Sequence, residues 1–286
     1  MITEKFGSLR TIVKSLLPPI VTAAIIKHRL LPGRFGKDSR TFQPKDPSIF
    51  PRIEILPAKA YPLSYMTVTT ETGPITECLH TSHLCLQKII SEYDFKTVLD
   101  IGGGSGPHTR ILRHVGKKVT TVEILEDFPA DHHGDYMEIN FGNGQFDLIW
   151  CSHILEHQRN QGVFLEKVFG DLKEDGIFAV TVPDKSYSSM ILGHCNIYNS
   201  LLLIYHLVCA GFDCRNAKLK SYDGNLSVIV RKRDNGLKRI SFATVPFPSP
   251  DGSKNNVGHD VDVFRFFPVG LMYIDYMIGE FDEINW

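Results

Sequence analysis

The chain has 286 residues, 43% hydrophobic and 22% charged, which is ordinary for a soluble globular protein and long enough for one large domain with appendages or two small ones. Its net charge of −1 carries no global sign of a nucleic-acid partner. Six cysteines (Cys78, Cys85, Cys151, Cys195, Cys209 and Cys214) show neither a CxxC pair nor a framework spacing, which favours reduced thiols and a cytoplasmic location.

Residues 1–60 are rich in proline and read as short helices and extended turns. Within them residues 1–40 carry a net +6 and leave −7 for the rest of the chain, an asymmetry that points to an acidic surface as partner. The apolar stretch Leu16 to Ile26 is broken by Pro18-Pro19 and is too short to span a bilayer. It also lacks a small-residue cleavage site, so the segment is expected to be retained. Two readings stay open: a helical flap over the domain, or peripheral contact with an anionic leaflet, where each basic residue adds on the order of 1 kcal/mol.

A helix is expected over Thr76 to Glu92, with Leu79, His83, Leu86 and Ile90 on one face. Strands and helices then alternate: strand Thr97–Ile101, helix Pro107–Val115, strand Lys118–Glu123, strand Phe146–Cys151, helix Gln161–Leu172 and strand Ile177–Val182. Gly176 suits the left-handed position after a helix end. A helix over Ser200–Ala210 leads to two strands, Cys214–Leu219 and Leu226–Val230, separated by the hairpin signal Ser221-Tyr222-Asp223-Gly224-Asn225. The expected fold is α/β: a Rossmann-like seven-stranded sheet, mostly parallel, ending in an antiparallel hairpin. The expected organisation is a basic N-terminal extension (1–75), partly helical, a ligand-binding domain (76–233) and a C-terminal extension (234–286) that packs as a lid or dimer surface.

The chemistry starts at Asp100-Ile101-Gly102-Gly103-Gly104-Ser105-Gly106, a glycine turn between a strand and a helix, where open α/β sheets bind ligands. The position that would complete the dinucleotide fingerprint is Pro107 or Thr109, and the Gly-Lys-Ser/Thr of a phosphate loop is absent. An acidic side chain at the strand end suits a cationic amino-acid moiety better than a pyrophosphate. Over residues 95–232 the chain resembles the class I S-adenosylmethionine (SAM)-dependent methyltransferases. The resemblance implies SAM as cofactor, held by Asp100, Gly102, Gly103, Gly104 and Gly106. Glu123 and Ile124 would meet the ribose and adenine, Asp135 and Tyr136 would lie along the adenine, and Cys151 and Ser152 would line the methionine end.

His153-Ile154-Leu155-Glu156-His157 reads literally as the HxxEH of inverted zinc peptidases, whose two histidines share a helical face. It follows a buried parallel strand, though, and the same place in similar methyltransferases reads Ser/Cys-x-x-Leu-Glu-His, so no metal is expected. Asp131-His132-His133-Gly134-Asp135 reads as a solvated loop. His157 and His153, then His194, are the candidate general bases if the acceptor is a hydroxyl, since neutral imidazole titrates near pH 7. Ser15-Leu16-Leu17-Pro18-Pro19-Ile20 with its basic neighbours resembles the start of bacterial enzymes of surface-polysaccharide assembly, implying a small-molecule or glycan acceptor. The alternatives are a SAM-binding, non-catalytic or partner-activated subunit, and a nucleic-acid methyltransferase. The second lacks the Asn/Asp-Pro-Pro-Tyr/Phe segment of base methylases and a basic face. Oligomeric state is left open.

Overall fold

The computed structural model describes residues 51–57, 64–184, 193–237, 242–248, 254–260, 263–268, 271 and 283–286. Residues 1–43 with 241–261 form one unit, and residues 44–240 with 262–286 form another. In the first, the described residues are the antiparallel hairpin β11 (Phe242–Pro248) and β12 (Lys254–Asp260). The second unit holds the main sheet and all of the candidate site residues.

That unit opens with three strands, β1 (Arg52–Pro57), β2 (Ser64–Thr70) and β3 (Gly73–Leu79), paired antiparallel in that order. The helical expectation from Thr76 is corrected here: residues 73–79 are strand, and helix α1 runs His83–Glu92. Leu79 matched the helical spacing by coincidence; it is buried as the last residue of β3. The short helices expected before residue 51 lie outside the described residues.

The chain then runs β4 (Thr97–Ile101), α2 (Pro107–His114), β5 (Lys118–Glu123), β6 (His132–His133) and β7 (Phe146–Ser152). It continues through α3 (Gln161–Asp171), β8 (Leu172–Pro183), α4 (Ser200–Cys209), β9 (Lys218–Tyr222), β10 (Asn225–Arg231) and β13 (Glu283–Ile284). One sheet takes them in the order β13-β9-β10-β8-β7-β4-β5-β6. Strands β6, β5, β4, β7 and β8 are parallel, and β10, β9 and β13 are antiparallel. This is the expected kind of sheet with a two-residue strand added at the β9 edge; β9 lies at Lys218–Tyr222 where Cys214–Leu219 was expected, and β6 lies in a stretch expected to be loop.

Strand alternation explains the layers, because successive side chains point to opposite faces. Leu99, Ile149, Phe178 and Val180 join Phe164, Leu165 and Val168 of α3 and Leu203, Ile204 and Leu207 of α4 in one core. Their neighbours Val98, Leu148, Trp150 and Ala179 join Leu86 and Ile89 of α1, Ile111 and Leu112 of α2, and Met66 and Val68 of β2 in the other. The near-continuous apolar runs of β4, β7 and β8 are those of strands buried on both faces. Among the described residues no helix is long and apolar enough to cross a membrane.

Two local details bear on the sequence reading. Asp175, not Gly176, has the left-handed conformation (φ 62°), within the first residues of β8. Gly176 is needed for space instead, since a Cβ there would lie 2.7 Å from the Lys173 carbonyl oxygen. In the β9–β10 hairpin Asp223 and Gly224 both have positive φ (45° and 75°), as a two-residue hairpin turn requires.

Candidate active site

The C-terminal ends of β4, β5 and β7 carry the candidate residues. Beyond β4, Gly102, Gly104 and Gly106 have φ of 73°, 53° and 80°, a region that L side chains enter only at a cost. The Gly102 amide donates to the Val122 carbonyl (2.8 Å) and the Gly106 amide to the Gly103 carbonyl (2.9 Å), which folds the turn against β5. Pro107 starts α2 where no amide is needed. Glu123, buried at the end of β5, accepts the Gly104 amide on one carboxylate oxygen (2.8 Å) and the Leu125 amide on the other (3.1 Å). Just beyond it, Ile124 and Leu125 are 65% and 55% exposed, an apolar surface beside a carboxylate. Asp100 is buried and accepts a hydrogen bond from the Thr109 hydroxyl. Burial pushes its carboxyl up to about 6, against the pull of that hydroxyl and of Arg113.

Asp135 is exposed, and its carboxylate caps the short helical turn 136–138 by accepting the Met137 amide (2.9 Å). Tyr136 instead is buried: its hydroxyl donates to Asp171 (2.8 Å) and its ring meets Phe164 edge-on. Its side chain is thus committed to the core beneath this segment. Asp131 is likewise more than a solvated loop residue, because its carboxylate accepts the amide (2.9 Å) and hydroxyl (3.0 Å) of Thr121. Cys151 is buried, and burial raises its thiol well above the usual range. Ser152 shares hydroxyl hydrogen bonds with Ser82 (2.6 Å) and Thr81 (3.1 Å).

All three histidines singled out in the sequence converge around a fourth residue, Glu156. His153 directly follows β7 in a left-handed conformation (φ 56°), rare for a non-glycine residue and of a kind that clusters at functional sites. Its Nε2 bonds Asn225 Oδ1 (2.9 Å), and its Nδ1 lies 3.5 Å from Glu156 Oε1. His157 closes the 3-10 turn Leu155–His157, donates from Nδ1 to the Gly193 carbonyl (3.0 Å), and places Nε2 3.9 Å from the same Glu156 oxygen. The amides of Cys195 and Asn196 both donate to the Glu156 carbonyl (2.8 and 3.1 Å), which holds His194 with its ring centroid 4.8 Å from that of His157. The literal HxxEH reading therefore fails as a helix pair, because His153 lies outside the turn. Burial pushes the Glu156 carboxyl up to about 8, and burial lowers His153 and His194. Glu156 itself was not among the sequence candidates.

A family model described as a methyltransferase domain matches residues 77–222, just over half of the chain. The chain belongs to this methyltransferase family. The enzyme is an S-adenosylmethionine-dependent methyltransferase, as the resemblance had implied. Its fold is similar to that of solved SAM-dependent methyltransferases. One from Archaeoglobus fulgidus is 15% identical with a TM-score of 0.44, the match covering 53% of this chain and 95% of that one. One from Aquifex aeolicus is 16% identical with a TM-score of 0.44, covering 52% and 89%. One from Mesorhizobium loti is 14% identical with a TM-score of 0.43, covering 52% and 97%. None of the curated proteins matches the methyltransferase.

Proposed function

We propose that this methyltransferase acts on a hydroxyl of a small, sugar-like acceptor, and that the cluster around Glu156 receives the acceptor. SAM, when bound, supplies an electrophilic methyl group on a sulfonium and leaves as the neutral thioether. The glycine turn 102–106 and Asp100 would hold its amino-acid end, the remaining acceptor capacity of Glu123 its ribose, and Ile124 and Asp135 its adenine. Cys151 and Ser152 would stand at the methionine end. Three features support this fit: the positive φ values of the turn, open space beside Gly104, and an exposed apolar pair next to a buried carboxylate. Tyr136, its hydroxyl held by Asp171, would support this segment from the core side.

The observation that carries the reading is the convergence of His153, His157 and His194 on one buried carboxylate at the end of β7. An imidazole nitrogen there with an uncommitted lone pair, His157 Nε2 or His153 Nδ1, takes the acceptor's proton as the oxygen attacks the methyl carbon. The O–CH3 bond forms, the S–CH3 bond breaks and the proton ends on the cluster. The sugar class, and a place in glycan assembly at a membrane, rest on the N-terminal resemblance and on the +6 charge of residues 1–40. Glycan mass spectrometry of a deletion strain tests them, a loss of about 14 mass units per methyl being expected. Unchanged glycans would remove that acceptor class.

A further inference from the structure

The Glu156 cluster holds an electrostatic conflict that proton transfer alone does not explain. Glu156 is 1% exposed, yet neither of its carboxylate oxygens meets a hydrogen-bond donor among the described residues. Burying an unpaired carboxylate is costly, and such groups are generally hydrogen-bonded or coordinate a cation. The orientation of Asn225 is fixed, because its Oδ1 accepts the Ser82 amide (3.3 Å) and its Nδ2 donates to the Asp223 carbonyl (2.9 Å). His153 must therefore donate to that oxygen from Nε2, and in the neutral ring its Nδ1 lone pair faces Glu156 Oε1 at 3.5 Å. His157, whose Nδ1–H is held by the Gly193 carbonyl, also turns its Nε2 lone pair toward that oxygen. Whenever Glu156 is ionised, acceptors thus face acceptors, a conflict that a proton or a cation placed between them would relieve.

We propose that Glu156, His157 and His194 bind a divalent first-row transition-metal ion at the acceptor end of the site. Their ligand atoms all lie within 4.8 Å of one another. Bonds of about 2.0–2.1 Å would draw them roughly 1 Å closer, a shift that the partly exposed rings of His157 and His194 can make. Two imidazoles and one carboxylate suit zinc or its neighbours, leave coordination positions open, and disfavour magnesium and calcium, which prefer all-oxygen sites. The Nδ1–H of His157 bonded to a backbone carbonyl is the usual way a metal-binding histidine is oriented. The inference deepens the proposed function and rests on it for the metal's role. There the ion binds the acceptor hydroxyl and lowers its pKa, and His153 Nδ1 takes the proton.

Zinc titrated calorimetrically into the full-length, chelator-treated protein tests the site, with visible absorption of the cobalt form as a second readout. One equivalent of zinc is expected. Glu156→Gln and His194→Ala are each expected to weaken it at least about tenfold, the minimum lost when even supporting contacts of a metal site are removed. SAM affinity, measured in the same samples, is expected to stay unchanged. His194 is partly exposed, so its variant keeps the fold, which thermal unfolding of the metal-free proteins verifies. No zinc uptake by the parent protein, or equal uptake by both variants, overturns the metal site. Methyl transfer by the chelated protein would then leave the proposed acceptor chemistry standing, whereas zinc binding without hydroxyl methylation would sink that chemistry and keep the metal.

Discussion

Glu123 accepts one amide from the glycine turn and one from the segment after β5, so its loss would free both at once. Glu123→Ala is expected to weaken SAM binding by about tenfold to a hundredfold in calorimetry, since hydrogen bonds to a charged group contribute roughly 1.5–3 kcal/mol. Gly104→Val should do the same through backbone strain, because the space beside Gly104 is open and only its φ of 53° resists a side chain. Asp100 gives a pH dependence. Its folded carboxyl titrates near 6 while an unfolded one titrates near 4, so the native state retains a proton that the unfolded chain has lost. Its contribution to stability therefore falls as pH rises from about 4 to 6, and Asp100→Asn should remove that fall from a urea-unfolding series. SAM affinity should rise over the same interval as the carboxylate forms, and a flat profile would show that Asp100 carries no charge contact. The placement of Asp100, the glycines and Glu123 at strand ends and in a turn was legible because such patterns are local. Glu156 was not, since its burial and its meeting with His194 are made by tertiary packing.

Elements are pinned to each other by a few polar staples. Asp147 in β7 accepts the Lys96 and Thr97 amides (3.0 and 2.8 Å), the Thr97 hydroxyl (2.9 Å) and Lys173 Nζ (2.9 Å), joining β7 to the start of β4 and to β8. Burial would raise its carboxyl, but these donors hold it well below the usual range. Its stabilisation is thus present above about pH 4 and lost as pH falls further. Asp147→Ala should cost about 2 kcal/mol in urea unfolding at pH 7, with the gap to the parent protein closing in acid. At the β9–β10 turn, Gly224→Ala should cost about 1 kcal/mol, because Ala resists a positive φ. Strands β4, β5, β7, β8 and β10 were readable as apolar, β-branched runs, whereas β9, expected over Cys214–Leu219, lies at Lys218–Tyr222, and β6 falls in a stretch expected to be loop. Strands β2 and β3 were not readable: proline-rich surroundings and an accidental helical spacing through Leu79 masked a two-residue alternation that the burial of Met66 and Val68 makes plain.

At the scale of the whole molecule, the order of the main sheet followed from repeated strand–helix units and a terminal hairpin, which topological rules restrict to few arrangements. The two-residue strand β13 was not foreseeable, because a pairing across more than sixty residues leaves no local pattern. Without it β9 would be the outermost strand, with a free row of amides and carbonyls. Glu283 and Ile284 cover part of that row, Lys220 meets Glu283 at 2.5 Å, and Lys218 donates to the Asn285 carbonyl (2.8 Å). An open edge recruits a second edge, and lysines along it discourage the approach. Glu283 and Ile284 therefore shield part of this edge, while Ile284 and Trp286 also pack against the two cores, and the shielding is expected to oppose self-association. Deletion of the last four residues should leave SAM binding intact while light scattering at raised protein concentration reports aggregates, and a monodisperse truncated protein would refute this role.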